Sequence, residues 1–167
     1  MALTKQELIG SLQNEIRILL HLASKIDRDK IDYRPAEKQR SIIELLRYLS
    51  IMGPGLVGAI KTGNFDGAGW GAAVAAAAAK NLDEVLADIA KISDLFAAEL
   101  GTMSEADFAD EIALFSPQKQ SRGSWLVYLV LCGHAAYRTQ LFLYLKACGR
   151  EELNTMNLWQ GIDAPMG

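Results

Sequence analysis

The chain has 167 residues, half of them hydrophobic and 22% charged, and carries a net charge of −3. That length fits one domain able to bury a single core without disulfide or metal staples. The acidic balance excludes a nucleic-acid binder, which needs clustered Lys and Arg; the densest basic group, 34–40, is diluted by Glu37 and a proline.

The opening MALTKQELIG has no apolar signal core. Helix starts recur downstream as a Ser, Thr or Asn followed three residues later by an acid. That spacing lets both side chains satisfy free N–H groups of a first turn. Thr4 with Glu7, Ser41 with Glu44, Asn81 with Glu84 and Ser104 with Asp107 all fit. After Thr4, Leu8, Leu12, Ile16, Leu19, Leu20 and Ala23 form an apolar stripe at helical spacing. Asn14, Arg17, His21, Ser24 and Arg28 mark its polar face, and this helix is expected over about 4–25.

A second helix is expected over about 41–60, with Ile42, Leu45, Leu49 and Met52 inward and Tyr48 beside them. Pro54 between two glycines predicts a kink or an end within it. The four glycines of 63–73 predict a flexible connection, and the alanine-rich run 72–79 leads into a third helix, about 81–100. Leu82, Val85, Leu86, Ile89, Ile92 and Phe96 are its inward residues. A short helical turn follows Ser104, the loop SPQKQSRG comes next, and a fourth helix is expected over about 124–147, closed by Gly149.

No stretch alternates like a strand. The expected fold class is therefore all-α, a four-helix bundle in one domain over 1–167, with a polar tail, 150–167, docked by Trp159. The most apolar window, 125–132, is eight residues long against the ~18 that suggest a membrane span, so no membrane partner is expected. Cys132 and Cys148 lie sixteen helical residues apart, about 24 Å at ~1.5 Å per residue, too far to bridge. They read as buried free thiols of a reducing, cytoplasmic protein.

The segments AYRTQLFLYLKACG and ELNTMNLWQGID, together with YRPAEKQRSIIELLRYL, resemble the DinB-like (damage-inducible) family. The resemblance runs from the first helix to Trp159. It implies a four-helix bundle, in many relatives holding a divalent metal through three histidines: one on the second helix and two, four residues apart, on the last. Four-residue spacing puts two imidazoles on one helix face, and a third from a facing helix completes an open site. The corresponding positions here are Tyr48, Gly133 and Tyr137. Glycine offers no ligand atom, and a neutral phenol with a pKa near 10 is a poor ligand. The resemblance thus implies a degenerate site, with no metal and no cofactor.

Tyr48 and Tyr137 are expected either to fill the vacated space or to border a pocket in which Gly133 leaves room for a ligand. His134, about 100° round the helix from Gly133, is either a hydrogen-bonded core histidine or the centre of a shifted site. Arg138 reads as the partner of a carboxylate, Glu44 or a first-helix acid, or as a group that captures substrate. The pocket candidates are therefore Tyr48, Gly133, His134, Tyr137 and Arg138. The leading expectation is a non-catalytic protein that binds a small molecule or a protein partner. A metal-dependent thiol transferase or isomerase using His134 is the alternative, and a homodimer paired through bundle helices is compatible with both.

Overall fold

The structure, a computed structural model, describes residues 3–164; the ends of the expected domain and tail, 1–2 and 165–167, lie outside the described residues. Four long helices share one core. Helix α1 (Lys5–Ala23), α2 (Ile42–Thr62) and α4 (Leu82–Gly101) each begin at an expected cap. At Thr4, Ser41 and Asn81 the side chain accepts a third-residue amide while the third-residue glutamate returns to the cap's own N–H. The fourth bundle element is built in three parts: α6 (Arg122–Trp125), a π-helical segment (Leu126–Leu131) and α7 (Cys132–Ala147). Helix α1 packs on α4 and α7, and α2 packs on α4 and α7, so Leu12, Ile16, Leu45, Leu49, Ile89 and Phe96 are sealed between them.

Three expectations along the chain are corrected. First, of the kink or end expected at Pro54, the end does not occur: α2 runs on to Gly63, a left-handed cap at φ 73°. Met52, Gly53, Val57 and Ile60 are buried on both sides of the proline, and that packing outweighs its cost of roughly 3 kcal/mol. Second, 63–73 is no flexible connection: Gly67–Ala78 forms a separate helix, α3, capped by Asp66, which accepts the Gly69 amide at 2.9 Å. Alanine propensity suffices despite the glycines, and α3 lies on α2 as an addition to the bundle with only Ala77 fully buried. Third, the described residues do contain strands. Glu111–Ile112 (β1) and Gln120–Ser121 (β2) pair antiparallel, too short for any alternation to show.

The short helix after Ser104 is present as α5 (Glu105–Ala109). Cys148 is buried as expected, but Cys132 is exposed, because the buried side of α7 is set by His134, Arg138, Leu141 and Leu145. By length and composition α2 could cross a membrane; here 56% of its apolar window is buried inside the bundle.

The tail is docked in part through Trp159, which is 60% exposed but lies under the Arg138 guanidinium of α7, 5.5 Å from its ring centroid. Arg17 donates to the carbonyls of Gln160 and Gly161 at 2.7 and 3.2 Å. Asn157 is 2% exposed and donates to Asp163 and to His21. Gly161 sits at φ 59° where a Cβ would meet Ile18 at 3.1 Å, so the close approach of tail to α1 requires glycine.

Candidate functional site

Because Ser41 fixes the start of α2, the 3.6-residue repeat puts Glu44, Arg47, Tyr48 and Ile51 on one side of that helix, and α3 covers this side. The two helices enclose a groove of about 370 Å³. Ile51, Val74, Ala77 and Ala78 supply its apolar walls, Tyr48 and Trp70 its aromatic ones, and Arg40, Glu44 and Arg47 its charges. Trp70 lies so close to α2 that a Cβ at Gly55 would stand 2.7 Å from the indole Cζ3. Only glycine lets the indole seat there.

Tyr48 is the hub. Its ring meets Tyr137 of α7 edge-on at 5.1 Å and Trp70 at 6.2 Å, while the Arg40 guanidinium lies 4.1 Å above its centroid. Burial, then the neighbouring Tyr137, pushes the Tyr48 phenol up to about 12. It therefore remains neutral at physiological pH.

Arg40 is held from behind. The Tyr144 hydroxyl donates to the Arg40 carbonyl at 3.0 Å and itself accepts from Gln140. Arg47 spends its Nε and Nη2 on the Lys80 carbonyl at 3.0 and 2.6 Å. Arg34 reaches Glu44 at 3.1 Å; the cap amide of Ser41, then that arginine, keep the Glu44 carboxyl below its usual range.

The five residues singled out from sequence separate into two groups. Tyr48 and Tyr137 do meet. Gly133 leaves no free room beside Tyr137, since the Met52 side chain fills the space at 3.4 to 3.5 Å from where a Cβ would stand. His134 is 1% exposed; its Nδ1–H donates to the Val130 carbonyl at 2.8 Å and its Nε2 has no partner among the described residues. The imidazole lies edge-on to Phe96 at 5.8 Å and against Gly53, where a Cβ would be 3.0 Å from its Cε1. Burial holds it neutral by lowering its pKa. Arg138 also points elsewhere. Its Nε and Nη2 donate to the Glu15 carboxylate and its Nη1 to the Leu158 carbonyl, tying α1, α7 and the tail together. Arg40, Arg47 and Trp70 join the groove without having stood out in the sequence. The available signal was an arginine immediately before a strong helix cap and a lone tryptophan among small residues.

A divalent metal does not suit this donor set. Two phenols, one of them held protonated to about 12, and a thioether behind a glycine offer no anionic or imidazole ligand. Among the described residues no three His, Cys, Asp or Glu side chains cluster as a metal site.

No protein-family model and no curated protein matches the chain. Among solved structures, a DinB-like protein of Bacillus subtilis, YjoA, is similar at 21% identity, with a TM-score of 0.67 over 89% of this chain and 96% of that one. The all-α architecture described above is thus the DinB-like fold.

Proposed function

We propose that this chain is a DinB-like protein with a degenerate metal site, which binds a small molecule without catalysis in the groove between α2 and α3. The observation that carries this reading is the replacement of ligand chemistry at Tyr48, Gly133 and Tyr137 by a phenol pair backed by Met52. A groove of about 370 Å³ with mostly apolar walls and a few polar groups suits a small ligand.

Elemental analysis of protein purified without a histidine tag and dialysed against zinc and nickel tests the reading. Metal far below one ion per chain is expected, and one tightly held ion per chain overturns it. The competing reading is a metal-dependent enzyme of the thiol transferase or isomerase type, and the Nε2 of His134, without a partner among the described residues, is in its favour. That reading requires a bound ion which His134→Ala releases. A cytoplasmic homodimer paired through bundle helices belongs to the same proposal, and unbridged Cys132 and Cys148 suit a reducing compartment. Sedimentation over a range of concentrations checks the pairing.

A further inference from the structure

Eight arginines occur in the sequence. Seven of them are spent on partners: Arg17 on the tail carbonyls, Arg28 on Asp83, Arg34 on Glu44, Arg47 on Lys80, Arg122 on Asp110, Arg138 on Glu15 and Arg150 on Glu152. Arg40 alone has no hydrogen bond or ion pair from its guanidinium among the described residues. It is nevertheless held in place, stacked at 4.1 Å on Tyr48 and anchored by its carbonyl to Tyr144. A guanidinium stacked on a ring keeps its in-plane N–H donors free, and that fork matches a carboxylate in two-point contact.

We propose that the groove takes a small organic monocarboxylate with an aromatic body, its carboxylate on Arg40 and its ring between Tyr48, Trp70 and the Val74–Ala78 wall. The proposal rests on the ligand-binding reading above and names the ligand class. Charge supports a monoanion. Glu44 is paired with Arg34 and Arg47 donates to a carbonyl, so among the described residues Arg40 is the lining's one unpaired cation, which a carboxylate matches and a phosphate dianion would overshoot beside Glu44. Tyr48 and Trp70, in edge contact at 6.2 Å, give the groove a continuous aromatic wall against which such a ring packs. The adjacent groove on the far side of Trp70, about 410 Å³, has no cation in its lining, and its single acid, Asp66, caps α3. It therefore offers an anion no opposite charge.

Three probes test the assignment by calorimetry on the full chain: 2-naphthylacetate, the isosteric neutral 2-naphthylacetamide, and 2-naphthyl phosphate. The acid is expected to bind about tenfold or more tightly than the amide, the increment of a charge-assisted contact. Arg40→Gln, at an exposed position where folding is not at risk, should remove that advantage and leave amide binding as it was. Trp70→Phe should weaken acid and amide alike. Equal affinity for acid and amide, an unchanged acid affinity in Arg40→Gln, or tighter binding of the phosphate each overturns the proposal. Absence of binding by all three probes overturns it too, and leaves the metal-free reading standing. Stoichiometric zinc in protein that still prefers the acid does the reverse.

Discussion

His134 illustrates how one buried polar atom sets a pH response. Its Nδ1–H is satisfied by the Val130 carbonyl, its Nε2 has no partner among the described residues, and burial lowers its pKa below the ordinary 6.5. The unfolded chain therefore binds a proton that the folded chain refuses as pH falls through about 6.5. Stability rises with pH where the unfolded state holds more protons, so it must drop on acidification below that value. Urea denaturation at pH 7.5 and pH 5.5 should show this loss, and His134→Phe should flatten it. A smaller slope should remain from His21, whose pKa burial also lowers. An identical slope in wild type and variant would refute the assignment. In the sequence, His134 could be recognised as a histidine on an apolar helix, and the choice between core residue and ligand was open. Its packing against Gly53 of α2, a neighbour 81 positions away, is shown by no local spacing.

At the level of elements, α2 is where the sequence was both most and least legible. Its start could be read from Ser41 and Glu44, because a cap is a local interaction over four residues. Its extent past Pro54 was legible as well, but not that the proline leaves it unended, because the burial that sustains it comes from α4 and α7. Gly55 offers a direct check on the contact with α3. A methyl at that position meets the Trp70 ring at 2.7 to 2.9 Å, whereas one at Gly10 of α1 meets nothing. Gly10→Ala should raise stability by about 0.5–1 kcal/mol through helix propensity alone. Gly55→Ala should lose that gain and displace the indole, read as a shift in tryptophan emission and in thermal denaturation. An equal gain at both sites would mean that Trp70 does not rest on α2.

Across the whole molecule, the tail is joined to the bundle through Arg138. This residue and Glu15 are 5% and 9% exposed, and the same guanidinium reaches Leu158. Removing one member of a buried pair strands the other, at a cost of ~3–5 kcal/mol. Glu15→Gln should thus lower the denaturation midpoint sharply, and a change under about 1 kcal/mol, the size of an exposed pair, would contradict this role. The expectation of a first-helix acid opposite Arg138 came from chemistry alone, since a bundle arginine needs an anion. Trp159 was legible by its bulk, and it does meet Arg138 of α7. The hydrogen bonds that hold the segment come from an inconspicuous Asn157 and from backbone carbonyls, which no pattern in the sequence marks.

Helix α3 has a single fully buried residue and rests on one neighbouring helix, whereas α2 is packed against several. Such an element detaches at a small fraction of the free energy of global unfolding. Its amides should therefore exchange with deuterium far sooner than those of α2, as one wall of the groove opens. Any guest held there must also supply the ordering of that wall. Slowed exchange confined to 67–78 on addition of 2-naphthylacetate would be the imprint of that clamping.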